Sequence, residues 1–254
     1  MLLAVIRRNW QMYKRYFPVT LFFNRGLDAG FTLLGLWLIA NFLFANNIKV
    51  GNAIEYSDYF SYAAVGLVYY NASIAILMNV EGTLESTLVS PFNIVYYYLG
   101  IFLEQFVRTF LEFLFSYIIA ILLGADLQQI TLLILLLGFL YVSICSFSMG
   151  VFLSNIMLWF RDTFISQNTI FLIIFLVSGI TFPIELLPKF LRVISNFIPL
   201  TYSIKAIRTL YLETQTSMIN LSFIQGLLLS ILYFLIGLLV YNKVEKKIVS
   251  DVSY

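Results

Sequence analysis

The chain has 254 residues and a formal net charge of +2; 61% of its residues are hydrophobic and only 11% are charged. A typical soluble domain has about 25% charged residues, so this composition cannot supply the polar surface of a soluble protein and predicts an integral membrane protein. The chain has no His and a single Cys, which excludes imidazole catalysis, His or Cys metal sites and internal disulfides.

Residues 1–25 form the first predicted element. Five basic residues are interleaved with aromatic ones here, which is typical of an amphipathic helix lying in the membrane interface. Pro18 is expected to end or bend this helix. A signal peptide is the alternative interpretation, but Asp28 follows soon afterwards and no small-residue cleavage site is present, so we favour the interface helix.

Six apolar stretches follow. A bilayer core of about 30 Å needs about 20 apolar helical residues, and six stretches meet or nearly meet this requirement, although the third holds Glu104, Arg108 and Glu112. The predicted spans are residues 27–48, 59–80, 94–124, 127–160, 163–184 and 214–242. We therefore predict an all-α integral membrane protein with six transmembrane helices in a single domain, residues 1–254.

Lys and Arg near the ends of the spans predict the orientation, because basic residues favour the cytoplasmic side. The two termini and the turn at residues 161–162 hold nine of the fifteen basic residues, which places both termini in the cytoplasm. Residues 185–213 conflict with this orientation, since this predicted external segment contains four basic residues.

The segment between the second and third spans reads Glu81-Gly-Thr-Leu-Glu-Ser-Thr-Leu-Val-Ser-Pro91. Gly82 permits a turn, Leu84 and Leu88 share one helical face, and Pro91 favours a sharp stop. The sequence predicts a short amphipathic helix lying across the cytoplasmic membrane surface. A connector without a special function is the alternative interpretation.

The segment between the fifth and sixth spans holds three of the five prolines, at positions 183, 188 and 199. Proline interrupts the helical hydrogen bonds, and in lipid the freed groups need other partners. The fifth helix is therefore expected to end near Phe182, and a re-entrant hairpin on the external side is expected to follow. An amphipathic helical pattern is formed there by Leu187, Phe190, Leu191 and Ile194.

These two segments resemble two motifs of the membrane subunits of type-2 ABC exporters. The cytoplasmic motif resembles Gly82-Thr-Leu-Glu85 followed by Ser90-Pro91. The second motif resembles Ser178-Gly179, Phe182-Pro-Ile-Glu-Leu-Leu-Pro188, Ile198-Pro-Leu-Thr-Tyr202 and Ala206-Ile-Arg208. The resemblance covers the whole chain in length and span order, although Ile198-Pro199 stands where many relatives have Asn-Pro.

The resemblance implies a permease that works as two membrane subunits with two ATPase subunits. The loop after the second span would dock on the ATPase, and the segment after the fifth span would close the outer end of the pathway. The residues implied for ATPase coupling are Gly82, Thr83, Leu84, Glu85, Leu88, Ser90 and Pro91. Those implied for the external gate are Phe182, Pro183, Glu185, Pro188, Pro199 and Tyr202.

Two further sets of charges leave alternatives open. Arg161 and Asp162 mark the turn between the fourth and fifth spans, which is either a second ATPase contact or a solvated turn. Glu104, Arg108 and Glu112 share one face of the third span with alternating sign. Because charge inside a membrane is costly, these three residues form either a polar wall of the pathway or a self-compensating ladder. The alternation of sign favours the ladder.

The resemblance implies export of a hydrophobic or amphipathic substrate, such as a drug, an antimicrobial peptide or a lipid-linked compound, across the cell (plasma or inner) membrane. The chain has no phosphate-binding G-x-x-x-x-G-K-[ST] motif. We therefore expect that it is not an enzyme and that it holds no cofactor. ATP and Mg would bind the partner ATPase. The second permease would be another copy or a similar chain, membrane lipid would surround both, and nothing indicates nucleic acid.

Two alternative functions remain. A permease for lipid-linked polysaccharide or teichoic-type polymers would share the same architecture. An ion-coupled secondary transporter would show broken helices at corresponding positions of two halves, whereas the proline breaks here lie only in the C-terminal half. A membrane enzyme is disfavoured because the chain has no His and no Cys pair.

Overall fold

The computed structural model describes residues 18–45, 56–83, 94–127, 132–160, 169–212 and 221–252. These ranges contain eight α-helices and no strand, with a 3-10 turn at Ile184–Leu186. The helices are α1 (Pro18–Ala45), α2 (Tyr56–Thr83), α3 (Ile94–Leu122), α4 (Leu132–Phe160), α5 (Phe171–Val177), α6 (Lys189–Ser195), α7 (Pro199–Leu212) and α8 (Leu221–Val252).

Four helices in the described ranges are long and apolar enough to cross a membrane. Their apolar parts are Tyr59–Met78, Tyr96–Leu122, Leu132–Trp159 and Leu221–Lys243. The all-helical class is thus confirmed for the described residues, and these four candidate spans fit an integral membrane protein. The apolar stretch of α1 is shorter and α5 has only seven residues, so the count of six spans and the re-entrant hairpin stay predictions.

Pro18 is the first residue of α1, because the fixed φ of proline suits the first helical position and its missing N–H is not needed there. Residues 18–25 therefore belong to α1. The rest of the predicted interface helix, residues 1–17, lies outside the described residues. Whether Pro18 also ends or bends the predicted interface helix stays a prediction.

The least apolar and the most apolar of the candidate spans differ most in burial. The apolar part of α2 has a mean hydropathy of 1.4 and is 78% buried, whereas that of α8 has a mean hydropathy of 2.4 and is 17% buried. Lipid-facing helices must be apolar, while a helix enclosed by protein can carry polar groups. Helix α4 packs against both α2 and α8, so α2 and α4 form the centre of the bundle.

Aromatic side chains join the central helices. Phe139 of α4 is fully buried, and its ring centroid lies 5.0, 5.3 and 4.9 Å from those of Phe106, Phe110 and Phe113 of α3. Tyr69 of α2 lies 4.9 Å from Phe113. Tilted aromatic pairs at these distances contribute beyond the area they bury, so this cluster fixes the register of α2, α3 and α4.

Three buried serine hydroxyl groups are satisfied within their own helices. Ser73, Ser143 and Ser230 each donate a hydrogen bond to the carbonyl four residues earlier, at 2.8, 2.7 and 2.7 Å. This local bond lets a polar side chain lie inside an apolar bundle without a partner from another helix.

A glycine on α8 allows that helix to approach α4 closely. A Cβ atom built on Gly237 would lie 3.0 Å from Val151 Cγ1 and 3.2 Å from the Phe152 Cα atom. Small residues at helix interfaces allow backbones to approach in membranes, so Gly237 is part of the close α4–α8 contact.

Gly237→Leu should therefore lower the free energy of unfolding by about 1–3 kcal/mol, because the added side chain overpacks the α4–α8 interface. Thermal unfolding in mild detergent, followed by tryptophan fluorescence, measures the effect. Gly35→Leu is the matched control, since a Cβ there meets no atom within 4 Å. Equal losses in both variants would contradict the close α4–α8 contact.

Candidate functional site

The turn after α5 depends on a glycine. Helix α5 ends at Val177, and Gly179 then has a φ of +70°, in the left-handed region that other residues rarely adopt. A Cβ atom there would lie 2.6 Å from Ile184 Cγ1. The helix therefore ends before the predicted position near Phe182, because Gly179 stops it ahead of Pro183.

Arg208 of α7 reaches into this turn and binds its backbone. Its Nη1 and Nη2 atoms donate hydrogen bonds to the carbonyl oxygens of Gly179 and Ile180. Its Nε atom donates to the Tyr62 carbonyl of α2 at 3.1 Å, and the guanidinium carbon lies 3.6 Å from the centroid of the Tyr62 ring. We call this arrangement the Arg208 clamp. It supplies donors to carbonyls that a broken helix leaves without partners in an apolar environment.

The surroundings of the clamp are built to fit a guanidinium. A Cβ atom on Gly66 of α2 would overlap both Arg208 Nη2 and the Ile180 carbonyl oxygen, so a glycine is needed at that position. Burial lowers the pKa of Arg208 to about 10, and the neighbouring Tyr62 opposes this shift. The guanidinium is thus positively charged at neutral pH.

A small polar cavity adjoins the clamp, with a volume of about 240 Å³. The Ser178 hydroxyl oxygen is buried and has no hydrogen-bond partner among the described residues, and Glu185, Thr201 and Lys205 also line the space. A polar cavity of this size can hold several water molecules, which would hydrate the helix break.

Two side-chain hydrogen bonds hold the segment that follows the helix break. Arg192 of α6 donates a hydrogen bond to the Glu185 carbonyl, and Tyr233 of α8 donates one to the Phe197 carbonyl at 2.9 Å. The side chains of Phe190 and Phe197 remain exposed, at 66% and 63%. Exposed aromatic residues on a short amphipathic helix suit a membrane interface.

The predicted gate residues lie along this segment but do not form one cluster. Phe182 is exposed and its ring centroid lies 6.2 Å from that of Tyr59. Phe182 lines a large groove between α1, α2 and α5, whereas Pro183 and Glu185 line the polar cavity. Of the remaining three, Pro188 is exposed, Pro199 is buried at the start of α7, and Tyr202 is half-buried. Their role as a gate stays a prediction.

The groove has a volume of about 650 Å³ and lies between α1, α2 and α5, with one face of α3. Its lining is mainly apolar and includes the aromatic residues Tyr59, Tyr70, Phe171, Phe175 and Phe182. The Tyr70 hydroxyl donates a hydrogen bond to the Phe171 carbonyl at 3.2 Å, which joins α2 to α5 along the groove wall. Ligand pockets have comparable volumes and apolar linings.

The three charged residues of α3 do not all line the groove. Arg108 Nε lies 3.6 Å from Glu112 Oε1, which fits the ladder interpretation. Glu112 is buried and lines the groove, whereas Glu104 and Arg108 do not line it, so one member of the set also fits the pathway interpretation. Whether all three line the pathway stays a prediction.

The predicted coupling residues lie mostly outside the described residues. Gly82 and Thr83 form the end of α2. Leu84, Glu85, Leu88, Ser90 and Pro91 fall between α2 and α3, and Arg161 and Asp162 fall after α4, all beyond the described ranges.

Sequence reasoning included Arg208 in a motif but missed its role as a clamp, and it missed the contribution of Gly66. An isolated Arg in an apolar, proline-broken segment is the signal that could have indicated a buried partner. It also missed the groove residues Asp28 and Asn71, because the groove exists only where several separate helices pack together.

Apolar helices packed around a groove with a few polar groups are typical of membrane transport proteins. The sequence pattern of the family described as "ABC-2 type transporter" matches residues 2–212, and the chain therefore belongs to this family. The expected type-2 ABC membrane protein is confirmed at the family level.

A relative supports the same conclusion. The chain is similar to the protein named "Putative transport permease ycf38" of Cyanophora paradoxa, with 29% identity over 192 residues. The matched region covers 70% of this chain and 66% of that relative, so the chain spans slightly less than two thirds of the relative's length.

Arg208→Lys should reduce the free energy of unfolding by about 2 kcal/mol or more, since a single ammonium group cannot bind three separated carbonyls and each unsatisfied buried group costs about 1–3 kcal/mol. Thermal unfolding in detergent measures the loss. Arg192→Lys is the matched control, because Arg192 also donates to backbone carbonyls but is exposed. Similar losses in the two variants would argue against the clamp.

Arg108→Met should destabilise the protein by about 3 kcal/mol, because it leaves acidic residues on one buried helix face without their cation. The triple variant Glu104→Gln, Arg108→Met, Glu112→Gln should lose less, since the charges are removed together. The same unfolding assay compares them. A triple variant that is less stable than Arg108→Met would overturn the ladder interpretation.

Proposed function

We propose that this chain is the membrane permease subunit of an ABC exporter that moves a hydrophobic or amphipathic molecule out of the cytoplasm. The groove between α1, α2 and α5 carries the proposal, because its volume of about 650 Å³ and its apolar, aromatic lining suit a drug-sized amphiphile. Membership of the ABC-2 type transporter family supports the coupling of this movement to ATP.

Separate ATPase subunits hydrolyse the ATP in this proposal. The chain has no phosphate-binding loop motif, so two ATPase subunits would bind ATP and Mg, and a second copy of this chain or a similar permease would complete the pathway. The assembly would lie in the cell membrane with both termini in the cytoplasm.

Helix α2 is the element that would transmit the ATPase motion. Its C-terminal end, Thr83, leads into the predicted coupling residues, and Tyr62 near its other end binds Arg208. The helical rise of 1.5 Å per residue places these two points about 32 Å apart. Since α2 also lines the groove, a push at residues 84–91 would move the groove wall and the Arg208 clamp together.

A co-purification experiment tests the proposal. The tagged chain, expressed with candidate ATPase subunits and purified in mild detergent, should retain an ATPase near a 1:1 ratio. Glu85→Arg should lower the recovered ATPase by about tenfold or more, because charge reversal at a docking contact opposes binding.

Glu55→Arg is the matched control, since it makes the same charge reversal in the loop predicted to be external. It should leave the ATPase bound. If the wild-type chain retains no ATPase and accumulates substrate in vesicles under an ion gradient alone, the chain is a secondary transporter and the proposal is wrong.

A further inference from the structure

The groove has an acidic character that its apolar lining does not suggest. Among the described residues that line it, Asp28 of α1 and Glu112 of α3 are acidic, and none is basic. Asp28 is exposed, so its carboxylate is accessible to a ligand. Glu112 is buried and its carboxylate lies 3.6 Å from Arg108, so Asp28 is the more accessible of the two acidic residues.

The aromatic lining of the groove also suits a positively charged amphiphile. Tyr59, Tyr70 and Phe175 line the groove, and aromatic faces attract cations.

We propose that this groove selects lipophilic cations: molecules with an apolar, mainly aromatic body and one positive charge. The inference rests on the proposed function, since the groove is taken to hold the transported molecule. A carboxylate in an apolar, low-dielectric groove attracts a cation more strongly than it would in water, and it repels an anion of the same size. Asp28 is the residue that sets this preference.

The test compares two ions of nearly equal size and opposite charge. Tetraphenylphosphonium and tetraphenylborate are titrated against the purified chain in neutral detergent, with protein-free detergent as the blank. The wild-type chain should bind the phosphonium more tightly than the borate. Asp28→Asn should weaken phosphonium binding by about fivefold, as expected for the loss of one accessible ion pair, and should not weaken borate binding.

Asp126→Asn is the matched control, because it makes the same substitution at an exposed carboxylate that does not line the groove. It should leave the affinities for both ions unchanged. The inference is overturned if the wild-type chain binds neither ion or prefers the borate. It is also overturned if Asp28→Asn weakens both ions equally, or if Asp126→Asn has the same effect as Asp28→Asn.

The outcome can be separated from that of the proposed function. Retention of the ATPase by the same preparations reports on the exporter assignment and does not depend on the charge of any ligand. A chain that retains the ATPase but shows no preference for the phosphonium would refute the cation inference alone. A chain that prefers the phosphonium but retains no ATPase would refute the exporter assignment alone.

Discussion

The structure of the C-terminal half depends on the bonds from the Arg208 guanidinium to backbone carbonyls. A helix that stops inside an apolar bundle leaves carbonyls that lipid cannot satisfy. Arg208 supplies donors to Gly179 and Ile180, and its bond to Tyr62 joins α7 to α2. Gly66 and Gly179 follow from the same constraint, because the first makes room for the guanidinium and the second allows the turn. The break after α5 is therefore a supported feature of the fold.

The same principle explains the positions of α2 and α8. The least apolar candidate span, α2, is the most buried, and the most apolar, α8, faces outwards along most of its length. Polar groups of α2 serve both the clamp, through Tyr62, and the groove, through Asn71. Helix α2 thus contributes to both the groove and the polar cavity. Phe182 and Pro183 lie at the boundary between these two spaces, since Phe182 lines the groove and Pro183 lines the polar cavity.

The sequence predicted the parts of the fold that depend on local composition. Helices α2, α3, α4 and α8 follow from long apolar stretches, which report membrane-crossing length directly. The end of α5 was placed too late because proline was taken as the stop, whereas Gly179 reverses the chain first. The clamp and the groove could not be predicted, because they require contacts such as Arg208 to Tyr62, which are 146 residues apart. The coupling residues rest on motif resemblance, and most lie outside the described residues.

The clamp also has a consequence for how the protein is made. During synthesis, α2 and α5 leave the ribosome before Arg208 does. The carbonyls of Gly179 and Ile180 therefore lack their hydrogen-bond donor until Arg208 has emerged. Until α7 arrives, the nascent chain holds an incomplete turn and a glycine-lined space in α2 with no guanidinium to fill it. Formation of the helices that precede α7 is therefore separable from the folding step that closes the bundle, and a chain truncated before residue 208 would present that unfinished turn to the cell's quality-control proteases.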